Sequence, residues 1–243
     1  MKALVLLHGW GMNPAAFDAL HARLAPHYDV HMPALPGYAA SPRCEPYTLG
    51  NLVSAVAASA PERCAVAGWS LGGQVALAWA RALPHQVERV ALIATTPCFV
   101  QRGDWSCALA ADVFDAFAEG LDQSRKTTVN RFISLQAQGD AKAKFVAQQL
   151  RSSLERCAEP DVETLNDSLN ILRVTDLRSD IAGIGQDVLV IHGERDRLVP
   201  AGAAEYLNRA LRRSRLVSLD GAGHALCVSE PGKVGHLMHE FFG

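Results

Sequence analysis

The sequence predicts an α/β fold built on a parallel sheet, and three observations carry that prediction. Short apolar runs rich in Val, Leu and Ala recur along the chain, longer stretches with helical apolar spacing separate them, and most runs end at Gly, Pro, His or Asp, where turns begin. Residues 3–7 form the first expected strand, followed by 28–32, 64–67, 87–94, 188–191 and 215–219. Parallel neighbours require long crossovers, and 49–60, 71–83, 201–211 and 231–242 have the length and periodicity of crossover helices. The alternation breaks once. Residues 99–176 contain no convincing strand and read instead as helices at 108–121, 124–138, 141–158 and 162–172. The expected organisation is a core of residues 1–98 and 177–243 carrying residues 99–176 as an inserted helical cap.

Composition narrows the function. At 243 residues, 49% hydrophobic and 20% charged, the chain is an ordinary globular protein with room for a large core. Its net charge of -2 leaves no overall positive field for a phosphate backbone, so nucleic acid is excluded as the expected partner. The apolar run at 3–7 stops at His8, too short for a secretory core or a membrane span, so a cytoplasmic protein with no membrane partner is expected. A monomer is expected as well. Six cysteines (Cys44, Cys64, Cys98, Cys107, Cys157, Cys227) show no CxxC or Cys/His ligand spacing and read as reduced thiols, with no metal or cofactor implied. The chain has no internal repeat and no low-complexity tract.

The low net charge hides a segregation within the 99–176 segment. Asp104, Asp112, Asp115, Glu119 and Asp122 form an all-acidic run. Arg125, Lys126, Arg131, Lys142, Lys144 and Arg151 then face a single acid, Asp140. Such runs are either solvated helix faces or a landing surface for an acidic partner.

The chemistry centres on Gly68-Trp69-Ser70-Leu71-Gly72, a G-x-S-x-G motif lying directly after an expected strand and before an expected helix. The flanking glycines permit the tight turn that lifts a serine hydroxyl over the strand's carboxyl end, where the helix N-terminus favours developing negative charge. Ser70 is thus the candidate nucleophile. A serine needs a base, and the base needs an orienting carboxylate. In the order Ser, acid, His, the tail offers Asp196 in His192-Gly193-Glu194-Arg195-Asp196 and His224 in Asp220-Gly221-Ala222-Gly223-His224, each in a loop after a strand. Glu194 is the second choice of acid, and Asp220 reads as a turn cap. The anionic intermediate of acyl transfer requires backbone N–H donors. Leu71 supplies one, and Trp10, in His8-Gly9-Trp10-Gly11 after the first strand, is the candidate for the other. Trp10 and Trp69 are also expected to wall the cleft.

On these residues the sequence resembles the pimeloyl-acyl carrier protein methyl ester carboxylesterases of biotin synthesis, within the α/β-hydrolase superfamily. The resembling segments are Leu6-Leu7-His8-Gly9-Trp10-Gly11, Gly68-Trp69-Ser70-Leu71-Gly72-Gly73, Pro97-Cys98-Phe99, Thr128 through Gln136, and Leu198-Val199-Pro200. The triad motifs belong to the whole superfamily, whereas the tryptophan pair, Pro-Cys-Phe and Arg-Phe-x-x-Leu-Gln are more selective. The resemblance implies an α/β-hydrolase fold, a mostly parallel sheet flanked by helices with an inserted helical cap. It also implies a serine carboxylesterase that needs no cofactor, with an acyl carrier protein as partner. By the same likeness Phe132, Ile133, Ser134, Leu135 and Gln136 would line the acyl chain with Trp10, Ser70, Leu71 and His224. The basic cluster would dock the carrier; Arg131 matches a docking arginine of the family, while other docking positions hold Lys144, Thr127 or Gln148. Met1 and Lys2 lead straight into the first strand where family members carry an extra leading strand, so either the sheet is shorter at that edge or the start is truncated. The alternatives are a short-chain esterase, thioesterase or carbon–carbon bond hydrolase with the same triad, or a catalytically silent receptor of this fold.

Overall fold

A computed structural model describes residues 1–243. Six strands form one sheet: β1 (Lys2–Leu7), β2 (Tyr28–His31), β3 (Cys64–Trp69), β4 (Val87–Ile93), β5 (Asp187–Gly193) and β6 (Ser214–Leu219). Their order is β2-β1-β3-β4-β5-β6 and every neighbouring pair is parallel. The chain runs outward from β1 to β2, then crosses back to β3 on the other side. The order therefore reverses between β1 and β3, and in an open parallel sheet the crevice at the carboxyl ends of such a pair is where ligands bind. The loop after β1 and the turn after β3 both open there.

Ten helices accompany the sheet: α1 (Asp18–Leu24), α2 (Leu49–Ser59), α3 (Leu71–Ala82), α4 (Ala111–Gln123), α5 (Arg125–Ala137), α6 (Ala143–Glu155), α7 (Val162–Val174), α8 (Ala201–Ala210), α9 (Leu226–Ser229) and α10 (Pro231–Phe242). Successive side chains of a strand point to opposite faces. Val5, Leu7, Val66, Val90, Val188 and Val190 accordingly pack on one side with α2, α3 and α8. Leu4, Leu6, Ala67, Ile93, Leu189 and Ile191 pack on the other with α1 and α10. Both faces are covered, which is why β3 is buried along its whole length and reads as an unbroken apolar run. A 3-10 turn at Pro14–Phe17, α1 and α9 have no counterpart in the sequence reading.

Helices α4 to α7 all lie between β4 and β5. The chain leaves and re-enters the sheet layer at one place: Cys98 bridges Asp176, and the Leu177 N–H donates to the Pro97 carbonyl at 2.9 Å. Helix α5 is a wedge between the two apolar clusters. Phe132 joins the first, while Ile133 and Ala137 join the second with Val146 and Leu150 of α6.

Candidate active site

Ser70 stands between β3 and α3 with φ 56° and ψ −117°, a left-handed conformation that costs a residue with a side chain on the order of 1–3 kcal/mol. The surrounding contacts impose it. A Cβ on Gly72 would overlap the Leu7 carbonyl of β1, and one on Gly68 would overlap the Gly72 carbonyl, so this strand–helix turn packs against β1 only if both positions are glycine. The Ser70 N–H donates to the Ile93 carbonyl at 3.0 Å, and Thr95 Oγ1 donates to the Ser70 carbonyl at 2.6 Å. With both flanking peptides held, the direction of the side chain is set.

The candidate base and acid come together from two other loops. His224 Nδ1 donates to Asp196 Oδ2 at 2.8 Å. Asp196 Oδ1 accepts the Leu198 and Val199 N–H groups at 2.8 and 2.9 Å. Burial alone would raise the Asp196 pKa, yet the His224 ring, its hydrogen bond, His192 and the Val199 N–H outweigh it and hold the carboxyl below its usual range. His192, 3.8 Å from the same carboxylate, has its own pKa lowered by burial and donates to the Val199 carbonyl. The tautomer that donates from Nδ1 leaves His224 Nε2 as a bare acceptor, buried and without a hydrogen-bond partner. The Ser70 hydroxyl does not close a bond to it here. Trp69 spans the two: it precedes the serine, its Nε1 donates to the His224 carbonyl at 3.0 Å, and its ring lies 6.0 Å from the imidazole. Glu194 lies in the same loop as Asp196 but is exposed, and the His224 ring bonds to Asp196 instead.

The loop after β1 reaches the serine, since a Cβ on Gly9 would stand 3.3 Å from Ser70 Cβ. Neither the Trp10 nor the Leu71 N–H is spent on a backbone or side-chain acceptor, so both donors remain available. His8 anchors this loop, donating to the Gly9 carbonyl and accepting the Leu35 N–H; burial lowers its pKa to about 4 and keeps the ring neutral. Helix α7 holds the other end. Trp10 Nε1 donates to the Leu165 carbonyl at 3.0 Å, and the Tyr38 hydroxyl accepts the Gly11 N–H at 3.4 Å and bonds Ser168 at 2.7 Å.

The comparisons with known proteins agree with this architecture. Residues 4–235 match the model of the alpha/beta hydrolase family. The pimeloyl-[acyl-carrier protein] methyl ester esterase of Nitrosomonas europaea is 39% identical over 94% of this chain and 90% of its own. That of Aromatoleum aromaticum is 40% identical over 98% and 96%. The chain belongs to this esterase family of alpha/beta hydrolases. A bromoperoxidase from Bacillus anthracis superposes with a TM-score of 0.90 over 99% of this chain and 91% of that one, at 19% identity, and shares the fold.

Within this esterase scaffold the expected substrate-lining stretch divides. Five consecutive residues of a helix sweep more than a full turn and cannot all face one cavity. Phe132, Leu135 and Arg131 line an apolar cavity of about 140 Å³ with Phe99, Phe114 and Leu198. Gln136 is buried on the same face as Phe132, with its Nε2 unpartnered. Ile133 turns the other way, toward Met12 and α6, and Ser134 is exposed and bonded back to the Asn130 carbonyl. Trp10 is fully buried against Phe132 and Phe117, with ring centroids 4.9 and 5.4 Å away, and Trp69 packs behind the serine turn. Both tryptophans are buried packing groups rather than an open cleft wall.

The basic set divides as well. Lys142 donates to the Ser229 carbonyl and to Glu230, and Arg125 is paired with Glu159. Both are committed within the fold. Arg131, Lys144 and Arg151 line an open groove between α5 and α6, and Lys126 borders a second cavity beside Met12 and Asn13. Much of the acidic run is spent internally: Asp104 pairs with Arg178, Asp115 with Arg173, and Asp122 accepts from Asn166. No cluster of His, Cys, Asp or Glu suited to a metal is present, all six cysteines are unpaired, and no helix is long and apolar enough to cross a membrane. Sequence reasoning missed Thr95, Tyr38 and Asp140, whose contacts to this site link residues far apart in the chain.

Proposed function

We propose that the protein hydrolyses the methyl ester of a pimeloyl group carried on acyl carrier protein, releasing methanol and the free carboxylate, as a step of biotin synthesis. The observation that carries this reading is the unpartnered, buried Nε2 of a histidine whose other nitrogen is bonded to a carboxylate, beside a serine held in a strained turn. Ser70 Oγ attacks the ester carbonyl carbon while His224 Nε2 takes its proton. Asp196 stabilises the imidazolium, and the Trp10 and Leu71 N–H groups receive the oxyanion. Collapse breaks the bond to the methoxy oxygen, which leaves with the proton from His224. Water, deprotonated by the same ring, then cleaves the acyl-serine.

In this reading residues 99–176 act as a cap, supported by the meeting of the segment's two ends at Cys98 and Asp176. The cavity behind Phe132 takes the apolar chain. The groove of Arg131, Lys144 and Arg151 takes the acidic carrier, which keeps the carrier's thioester outside while the methyl end reaches Ser70. The enzyme would work as a monomer in the cytoplasm.

Mass spectrometry of products from methyl pimeloyl-carrier, beside unrelated esters, tests the substrate. Preferential release of methanol from the carrier-linked ester supports the reading, and equal turnover of all esters replaces it with a general esterase. Ser70→Ala should abolish fluorophosphonate labelling; persistent labelling removes Ser70 as nucleophile. Reversing Arg131 and Lys144 to Glu should slow the carrier-linked ester far more than a free one, and an equal effect on both ends the docking proposal.

A further inference from the structure

The connection between α5 and α6 touches both loops that bear the acid and the base. Gly139, at φ +88°, lies against the Arg195 carbonyl so closely that a Cβ would overlap it. The Ala141 N–H donates to the Gly221 carbonyl at 2.8 Å. Between them Asp140 is buried, 7% exposed, and both its carboxylate oxygens are used. Oδ1 accepts the Lys142 N–H at 2.7 Å and closes a turn before α6, while Oδ2 crosses to the other loop and accepts the Gly223 N–H at 2.8 Å. Burying a carboxylate is costly, and the turn alone requires only one acceptor, which Asn or Ser would supply. The second oxygen is the feature that turn formation leaves unexplained.

What it holds is the residue before His224. The segment Asp220-Gly221-Ala222-Gly223-His224 contains two glycines, one at φ +72°, and a loop of that composition is expensive to order. Trp69 Nε1 fixes the carbonyl of His224. Asp140 fixes the N–H of Gly223 from the opposite side of the residue. The imidazole direction is then set by two side chains that flank its backbone, one from the serine turn and one from the inserted helices.

We propose that Asp140 is a positioning residue for the base, holding the Gly223–His224 backbone so that Nε2 faces the serine. The inference rests on the reading of His224 as the base. The test uses the full chain and a small soluble ester, so that carrier docking does not enter. Asp140→Asn is nearly isosteric and keeps one acceptor, and Asp140→Ala removes both. A misplacement of about 1 Å costs catalysis up to about 100-fold, so kcat per titratable serine should fall about 10- to 100-fold in the alanine variant and less in the asparagine variant. KM should stay within about twofold of the parent, and the rate of fluorophosphonate labelling should fall by the same factor as kcat. Glu230→Gln loosens the same connection through Lys142, away from His224, and should leave kcat unchanged. If Asp140→Ala does not fold, Asp140→Ser, which keeps an acceptor for the turn but is too short to hold Gly223, carries the test. Parental kcat and labelling in Asp140→Ala, or in Asp140→Ser where the alanine variant does not fold, with only a lowered melting temperature, overturns the proposal. His224→Ala separates the two readings: an active His224→Ala removes the triad and this inference with it, whereas an inactive His224→Ala beside a fully active Asp140→Ala or Asp140→Ser removes the positioning role alone.

Discussion

The turn that bears Ser70 and the loop that bears His224 reach the same crevice by opposite means. The serine turn is specified locally. Six consecutive residues supply the strand end, the glycines and the helix start, and the contacts that shape it are largely backbone packed on backbone. The histidine loop has no such internal constraint. Its placement comes from Trp69, Asp196 and Asp140, drawn from three distant parts of the chain. The proposed nucleophile, whose strained geometry must be kept, is encoded in a short motif, whereas the proposed base is placed by its surroundings. The two sites should therefore respond differently to change.

The largest expected effect is at Asp196, the proposed acid, which orients the histidine loop. In Asp196→Asn, the amide oxygen can keep the Leu198 and Val199 N–H groups, but an N–H then faces His224 Nδ1 and favours the tautomer with its proton on Nε2. The base loses its free acceptor. Turnover of any ester should fall about 10⁴-fold while the melting temperature changes little. A fall of less than about tenfold would mean that Asp196 does not set the tautomer.

A backbone contrast comes next. Gly72→Ala drives a Cβ into the Leu7 carbonyl of β1, where only the sheet itself could move, and should destabilise the fold by more than about 3 kcal/mol. Gly223→Ala would bring a Cβ to 3.1 Å from Asp140 Cβ, 3.3 Å from the Asp140 N and 3.4 Å from the Gln138 carbonyl, tight contacts without overlap, and should cost about 1 kcal/mol, with the loss appearing in kcat. Urea titration of the two variants decides it. Equal destabilisation would show that the histidine loop is as tightly packed as the serine turn.

The same contrast explains what the sequence makes legible. The six strands and the helices α2, α3, α8 and α10 follow from apolar runs and their spacing, with ends that shift by a few residues because β3 continues to Trp69 and β5 to Gly193. Helix α1, with seven residues, is shorter than the window in which helical periodicity shows, and the four-residue α9 offers no period at all. Ser70, Asp196 and His224 stand out because each sits where a strand gives way to a glycine-containing turn or loop. Asp140 and Lys142 look like ordinary members of a mixed charge run. Nothing local tells a docking lysine from one bound to Glu230, and nothing marks a carboxylate that reaches across 83 residues to Gly223. Ser134 enters the substrate-lining set through the family likeness, and its place on α5, exposed and bonded back to the Asn130 carbonyl, follows from helix geometry that the likeness does not carry.

The loop after β1, proposed to supply an oxyanion donor, carries a pH signature of its own. His8 is held neutral at a pKa of about 4 in the folded protein, against an ordinary value of 6.5. The unfolded chain binds a proton there between pH 6.5 and 4 while the folded one does not, so this contribution is complete above pH 6.5 and is lost as pH falls toward 4. The gap from 6.5 to about 4 corresponds to about 3 kcal/mol. Denaturant titrations from pH 7 to pH 4 should show the loss, and His8→Gln should flatten it. An unchanged slope in that variant would assign the acid sensitivity to other groups, Asp196 being the next candidate below pH 4 because its carboxyl is also held low.

The smallest effect tests whether helix α7 steadies the proposed oxyanion donors as the core steadies the serine. Tyr38→Phe removes the hydroxyl that accepts the Gly11 N–H and bonds Ser168, leaving the ring against His8. Ser168 keeps its bond to the Thr164 carbonyl, so only one buried donor, the Gly11 N–H, is orphaned, at a cost of about 1–2 kcal/mol. Trp10 retains its bond to Leu165, and the loop is therefore loosened on one side only. Stability should fall by that amount, and kcat should fall severalfold with KM unchanged, because the Trp10 N–H is needed only once the oxyanion forms. A variant that loses stability while keeping full kcat would show that the Trp10 side chain alone holds the donor, and that the tyrosine serves the fold.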